Sequence, residues 1–148
     1  MPSEAVNLKS WQIAFNRLDD LPEILVQGHE RAYLTWIFAT KSARSYAIEP
    51  AAVDEYVRVF SAPGAARASF VWCRAALSPD GLAQAKARSG QRLTIPVLAL
   101  GDALRASAAT IGDHVSGGAI GLGCGHFLPE ECPDEMTAAM LGFWRDTR

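Results

Sequence analysis

The sequence predicts an α/β fold in two parts: short helices over residues 1–89, then a strand, helix, strand and helix over residues 90–148. Three observations predict this fold. Apolar residues recur at helical spacing as far as residue 89, with Pro and Gly between the repeats. From Arg92 the pattern changes to a short, β-branched apolar run. A second apolar run follows one helix later, and strands joined through a helix are parallel.

Three segments of the first part have helical periodicity. Residues 21–40, LPEILVQGHERAYLTWIFAT, predict one helix with Ile24 and Leu25 on its apolar stripe. Residues 49–64 and 64–77 each predict an amphipathic helix, and both stop at Pro or Gly breaks. We therefore expect the first part to consist of small packed helices.

The second part begins with residues 92–102, RLTIPVLALGD, which predict a strand buried on both faces. A helix is expected from Asp102 to about His114. The run GGAIGLG, residues 117–123, then predicts a second strand that leads into a loop around His126. Residues 134–147 predict a final helix that begins with two acidic side chains.

Composition excludes several classes of protein. Of the 148 residues 49% are hydrophobic and 20% are charged, which excludes a disordered chain. A net charge of −2 gives no basic surface for nucleic acid or anionic lipid. No apolar run approaches the length of about 20 residues that spans a bilayer. Three cysteines, Cys73, Cys124 and Cys132, lack a disulfide-scaffold spacing. We therefore predict a cytoplasmic protein with no nucleic-acid or membrane partner.

The stretch GLGCGHFLPEECPDE, residues 121–135, is the candidate reactive loop. His126 follows glycines that permit unusual backbone angles, and it follows a predicted parallel strand. Histidine exchanges protons near neutral pH, which suits it to general base catalysis. The same spacing also fits a surface loop with an incidental histidine. A zinc site of Cys124, His126 and Cys132 is disfavoured because a structural site needs four ligands.

The string GCGHFLPEECPDEM and the closing LGFWRDTR resemble the catalytic-histidine loop and last helix of α/β-hydrolases in the epoxide hydrolase and haloacetate dehalogenase branch. RLTIPVLALGD resembles the preceding strand, whereas WQIAFN, LPEILVQGHERAYL and YVRVFSAPGAARASF resemble the helical cap. The resemblance implies a partial fold. Residues 1–89 would be the cap, and residues 90–148 would carry the last two parallel strands and helices of the hydrolase sheet.

By that resemblance, His126 would be the general base that activates water to cleave an ester between the substrate and an aspartate nucleophile. Asp102 is a candidate for the acid that orients the imidazole, although a helix N-cap explains it equally well. The family also implies an elbow aspartate and a His-Gly oxyanion loop, and neither matches any residue of this sequence. We expect no metal and no cofactor.

The candidate substrate-binding residues lie in the cap: Trp11, Gln12, Trp72 and Cys73. Relatives often carry Trp-His where this chain has Trp11-Gln12, and Tyr-Arg where it has Cys73-Arg74. Since a thiol is a weak donor, these departures weaken the expectation of epoxide or halide chemistry. Trp side chains among apolar neighbours are also common core residues.

Two functions therefore remain open. In the first, the chain is the cap and C-terminal half of a hydrolase for small apolar, halogenated or epoxide substrates, completed by an N-terminal half. In the second, it is a non-catalytic remnant that binds an apolar small molecule or forms a homodimer through an uncovered strand edge.

Overall fold

The computed structural model describes residues 4–118, 120 and 123–147, without the side chains of 5–9, 102 and 103. The chain separates into two compact units, Met1–Gln84 and Ala85–Arg148, which we call the helical unit and the sheet unit. No helix in the described ranges has both the length and the apolar character needed to cross a bilayer.

The helical unit is built from short helices joined by tight corners. Their bounds are α1 Glu4–Asn16, α2 Leu21–Val26, α3 Glu30–Lys41, α4 Pro50–Phe60, α5 Ala65–Ala76 and α6 Pro79–Arg88, the last of which continues into the sheet unit. The amphipathic helices expected over residues 49–64 and 64–77 are confirmed as α4 and α5.

The single helix predicted over residues 21–40 is wrong. Gly28 adopts φ 79° and separates α2 from α3, because a left-handed residue cannot continue a right-handed helix. The break resets the helical phase. Ile24 and Leu25 are therefore 68% and 55% exposed, whereas Pro22 and Val26 are the buried side chains of α2.

Aromatic rings fill the centre of the helical unit. Phe70 is 1% exposed and meets Tyr33 and Phe60 edge to face, with ring centroids 6.1 Å apart in each case. Trp11 packs edge to face on Trp36 at 5.1 Å and on Tyr33 at 6.4 Å. Offset and edge-to-face ring pairs add to the free energy gained from burial, so these contacts tie four helices together.

Arg74 on α5 anchors the corner between α1 and α2. Its Nε and Nη2 donate to the Leu18 carbonyl oxygen at 2.9 and 2.5 Å, and its Nη1 and Nη2 donate to the Glu23 carboxylate at 2.8 and 2.7 Å. The hydrogen bond from Arg74 lowers the pKa of Glu23 below its ordinary value of 4.5. A planar guanidinium can hold both acceptors at once, which a lysine ammonium cannot do with the same geometry.

The sheet unit has two parallel strands and three helices in its described part. The elements are β1 Leu93–Leu100, α7 Asp102–Ala109, β2 Gly112–Gly118, α8 Leu128–Glu131 and α9 Pro133–Asp146. Leu93 pairs with Gly112, Val97 with Val115, and Leu100 with Gly118, with an irregularity before Pro96. Pro96 lacks the backbone N–H that a regular ladder uses.

The predicted boundaries between the first and second strands are wrong. The helix expected to reach His114 ends at Ala109, and β2 starts at Gly112 and contains His114. The predicted strand at 117–123 overlaps β2 at residues 117 and 118, and residues 119, 121 and 122 lie outside the described part. The polar sequence GDHVSGG forms a strand because pairing with β1 outweighs its low intrinsic preference.

Gly117 shows why this strand needs glycine. Its φ is 102°, and a Cβ at this position would overlap the backbone of Ala99 on β1. The expectation that β1 is buried on both faces is also wrong. Ile95 is 64% exposed and Leu93 is 42% exposed, whereas Ala99 is 7% exposed.

The cysteine prediction requires correction. The structure joins Cys124 and Cys132 in a disulfide and leaves Cys73 as a free, half-buried thiol. The spacing of eight residues matches no common scaffold, so the pairing follows from the way the loop folds back onto the start of α9. Cysteine usage therefore no longer supports a reducing compartment, and the cytoplasmic location stays a prediction.

We expect Arg74→Lys to lower the midpoint of thermal unfolding by about 5–10 °C, because the bidentate contact and the bonds to Leu18 cannot all be kept. The matched control is Arg58→Lys. Arg58 pairs with Glu55 on the exposed face of α4, so we expect a shift of about 2 °C or less. Circular dichroism during a thermal scan measures both shifts, and equal shifts would contradict the assigned role of Arg74.

Acid should weaken the same corner. The pKa of Glu23 is lower in the folded chain than its ordinary value of 4.5. Its contribution to the free energy of unfolding is therefore complete above about pH 4.5 and is lost as the pH falls through the folded pKa. We expect the unfolding midpoint of the native chain to fall more steeply than that of Glu23→Gln between about pH 5 and about pH 3. Parallel slopes would show that Glu23 does not carry this pH dependence.

Removing the disulfide should destabilise the sheet unit. For a loop of this length we expect Cys124→Ser with Cys132→Ser to lower the free energy of unfolding by about 2–3 kcal/mol. Urea unfolding followed by tryptophan fluorescence measures the loss. As the control, a reductant should lower the free energy of unfolding of the native chain to that of the double variant. It should leave the free energy of unfolding of the variant unchanged, because both chains retain Cys73 and differ only in the disulfide.

Candidate functional site

His126 lies on the loop that follows β2 in the sheet unit. Its side chain is exposed, and Gly123 before it adopts φ 98°. β1 and β2 are parallel, so the loop leaves from the edge at which both strands have their carboxyl ends. Reactive groups of parallel sheets occupy this edge, and the topology therefore favours a chemical role for the imidazole.

The segment after His126 is held by its own short helix. The N–H of Phe127 donates to Oε1 of Glu131 at 2.9 Å, and the carbonyl oxygen of Phe127 accepts from the N–H groups of Glu130 and Glu131 at 2.9 Å each. The Phe127 ring meets the imidazole of His126 edge to face at 5.0 Å. The histidine is thus exposed to a reactant while the residue beside it is fixed.

The disulfide closes this loop covalently. Cys124 precedes His126 and Cys132 follows α8, so the bridge encloses the histidine and the helix that holds it. Cys132 is 7% exposed. Because both sulfurs are in the bridge, the zinc site of Cys124, His126 and Cys132 is ruled out in this state. No group of three or more metal-ligating side chains occurs within the described residues.

The prediction that Asp102 orients the imidazole stays a prediction. Asp102 is the first residue of α7, directly after Gly101 at the carboxyl end of β1. Its backbone therefore starts at the same sheet edge as the His126 loop. Its side chain is outside the described part of the chain.

The four substrate-binding candidates differ in exposure: one is exposed and three are half-buried. Trp72 is 70% exposed on α5. Trp11 is half-buried in the aromatic cluster, and its indole Nε1 is buried without a hydrogen-bond partner among the described residues. Gln12 is half-buried beside it on α1, and Cys73 is half-buried on α5.

Two polar side chains that the sequence analysis did not select link these candidates. The Tyr33 hydroxyl donates to Oδ1 of Asn16 at 2.9 Å, and Nδ2 of Asn16 lies 4.0 Å from the sulfur of Cys73. Burial raises the pKa of Tyr33, so the phenol keeps its proton. Helices α1, α3 and α5 thereby bring a tyrosine, an amide and a thiol together, and the tyrosine ring packs on the ring of Trp11.

Sequence reasoning missed these residues for a physical reason. Tyr33 lies on an apolar stripe, where its ring explains its position and its hydroxyl gives no separate signal. Glu131 was missed because one of two adjacent glutamates usually faces solvent. The available signal was the order Phe127, Leu128, Pro129 and then glutamates, which is typical of a short helix whose acid returns to its own N-terminus.

The helical unit also carries a surface cavity of about 520 Å³ between α3 and α4. Its wall combines apolar side chains with the polar side chains of Arg31, Thr35, Ser42, Ser45 and Tyr46. The Ser42 hydroxyl is buried without a hydrogen-bond partner in the described structure. The volume lies within the range of small-molecule sites. The cavity is lined by residues other than the four predicted substrate-binding side chains.

Known proteins with a similar sequence and fold include epoxide hydrolases. The chain is 36% identical over 124 residues to the soluble epoxide hydrolase of Corynebacterium sp. strain C12, which covers 80% of this chain and 41% of that protein. It superposes on Cfl2 from Burkholderia cenocepacia with a TM-score of 0.85 at 31% identity, covering 98% of this chain and 51% of Cfl2. It superposes on the epoxide hydrolase CorEH with a TM-score of 0.86 at 29% identity, covering 100% of this chain and 54% of CorEH.

No protein-family model matches the sequence. The chain spans about half the length of the proteins that it resembles, so the resemblance extends over a partial hydrolase fold. The expected fold class, helices followed by a parallel β-α-β-α segment, is confirmed. By sequence and by fold, the chain is similar to the cap and C-terminal part of α/β-hydrolases of the epoxide hydrolase branch.

Proposed function

We propose that this chain supplies the cap and the general-base histidine of an epoxide-hydrolase-type active site. The observation that carries the proposal is the exposed His126 on a disulfide-closed loop that follows β2, whose carboxyl end lies at the same edge as that of β1. The attacking carboxylate would come from a sheet segment outside residues 1–148, either in the same polypeptide or in a separate chain.

The chemistry proceeds in two balanced steps. A carboxylate oxygen attacks one carbon of an epoxide, the carbon–oxygen bond breaks, and a donor protonates the resulting alkoxide to give a hydroxyalkyl ester. His126 then takes a proton from water while the water oxygen attacks the ester carbonyl carbon. As the tetrahedral intermediate collapses, the protonated His126 gives its proton to the leaving alkoxide, and the proton of the added hydroxyl returns to the donor. The carboxylate is freed and a vicinal diol is released, so the net reaction consumes one water.

Side chains of the helical unit are suited to hold the substrate oxygen. The buried Nε1–H of Trp11 has no described acceptor, and the amide of Gln12 can donate. The hydroxyl of Tyr33 lies in the same cluster but donates its hydrogen to Asn16, so the candidate donors to the substrate are the indole of Trp11 and the amide of Gln12. These two groups would compensate for Cys73, since a thiol is a weak donor. An apolar epoxide fits these surroundings, and a haloacetate or another small halogenated substrate is the less favoured choice.

The exposed side of β1 supports completion by another sheet segment. In the described part of the chain β1 pairs with β2 alone, and Leu93 and Ile95 on β1 are exposed. A strand edge that lacks a partner and carries apolar side chains favours pairing with a further strand. The complementing half of the hydrolase is the proposed partner, and a second copy of this chain is the competing one.

The second candidate function is binding without catalysis. It is favoured by the cavity of about 520 Å³ between α3 and α4, whose volume and partly apolar wall suit a small molecule. In that case, turnover would be absent in every mixture, and the chain would bind an apolar small molecule or form a homodimer in solution.

Activity measurements distinguish the two functions. The chain is mixed with the remainder of the Corynebacterium soluble epoxide hydrolase, expressed without the region that this chain matches, and diol formation from an aryl epoxide is followed. We expect turnover in the mixture and none from either part alone. Replacing His126 by Ala should lower turnover by about 10²–10⁴-fold, because the water loses its base.

The covalent step gives a sharper result. With His126→Ala, the ester should form and persist, and intact-mass spectrometry should show one substrate added to the complementing part. The control is His29→Ala, since His29 is an exposed histidine at the start of α3. Full turnover by His126→Ala would refute the proposed base, and a homodimer with no turnover in any mixture would favour the binding function.

A further inference from the structure

Glu131 is the charged side chain that the described structure buries. It is 7% exposed, and no other charged residue in the described ranges is buried to that degree. A carboxylate loses its hydration when it is buried, so it remains in the fold only where hydrogen-bond donors compensate. The buried carboxylate of Glu131 therefore requires a hydrogen-bond donor.

That partner is the backbone beside the candidate base. Oε1 of Glu131 accepts a hydrogen bond of 2.9 Å from the N–H of Phe127. This N–H belongs to the peptide bond that joins His126 to Phe127. A hydrogen bond with an ionised acceptor is about twice as strong as a neutral one, so it restrains the rotation of that peptide.

The restraint extends to the imidazole because the same peptide plane fixes the backbone of His126. Phe127 also accepts the first backbone hydrogen bonds of α8, and its ring lies edge to face against the imidazole. Glu131 holds the N–H of the same residue. The neighbour of the exposed histidine is thus anchored through its N–H, its carbonyl oxygen and its ring.

We propose that Glu131 is a positioning residue for His126. Its carboxylate holds the His126–Phe127 peptide, and through it the direction of the imidazole at the sheet edge. It does not touch the reacting atoms. The inference rests on the proposed function insofar as the positioned ring acts as a base, but the positioning itself is measurable in the chain alone.

Nuclear magnetic resonance on the labelled full chain tests the positioning. Glu131→Ala should accelerate hydrogen exchange of the Phe127 amide by about tenfold or more, because a charge-assisted hydrogen bond is lost. The order parameter of the His126 ring Cε1–H bond should fall in the same variant. Glu131→Gln keeps an acceptor oxygen without the charge, so we expect a smaller change in both quantities.

Two internal references exclude a general loss of structure. The amides of Val97 and Val115 in the paired strands should keep their exchange rates, and Glu135→Gln, an exposed acid in the first turn of α9, should behave as the native chain does. An unchanged Phe127 exchange rate or an unchanged ring order parameter in Glu131→Ala would overturn the proposal. If that variant does not fold, the same two readouts in Glu131→Gln decide it.

Turnover measurements distinguish a failure of the positioning by Glu131 from a failure of the proposed function. In an active mixture, Glu131→Ala should slow release of the diol while ester formation and KM stay near the native values, and Glu131→Gln should restore part of the rate. Inactive mixtures together with the expected magnetic resonance changes would contradict the proposed function and support the positioning. Active mixtures with an unaffected His126 ring would contradict the positioning.

Discussion

The parallel pairing of β1 with β2 is the constraint on which the sheet unit depends. Parallel strands require a crossover, which α7 supplies, and they bring both carboxyl ends to one edge. The pairing also restricts which residues β2 can contain. Gly117 has no side chain because its strand passes directly against the backbone of Ala99. The loop that carries His126 starts from this edge, so its place follows from a backbone ladder rather than from the polar, glycine-rich residues of β2.

The helical unit depends on a different physical device. Its rings pack around Phe70, and Arg74 joins α5 to the corner at Leu18 and Glu23. Such packing tolerates few polar groups. The Tyr33 hydroxyl is satisfied by Asn16, whereas the indole Nε1 of Trp11 is buried without a hydrogen-bond partner among the described residues. Hydrogen-bonding groups in an apolar surrounding interact strongly, which would suit the proposed substrate-binding role.

The two units illustrate two ways of placing a polar group. In the helical unit the polar atoms are fixed by surrounding rings from several helices. In the sheet unit the side chain of the proposed base, His126, is exposed, and order comes from a loop closed by Cys124 and Cys132 and from the buried carboxylate of Glu131. A general base needs access to water and a defined direction at the same time, and an anchored surface loop would meet both requirements.

The sequence by itself determined the order of helices and strands, the parallel character of the sheet and the loop around His126, because these follow from local periodicity and from the chemistry of single residues. The tertiary structure alone decided the break at Gly28, the extent of β2, the disulfide and the burial of Glu131. The break at Gly28 and the extent of β2 depend on a backbone angle or on a partner distant in sequence, whereas the disulfide and the burial of Glu131 depend on how one short loop folds back on itself. None of these features leaves a periodic trace in the chain. Pairing with β1 made a strand of GDHVSGG, whose residues have little intrinsic preference for one.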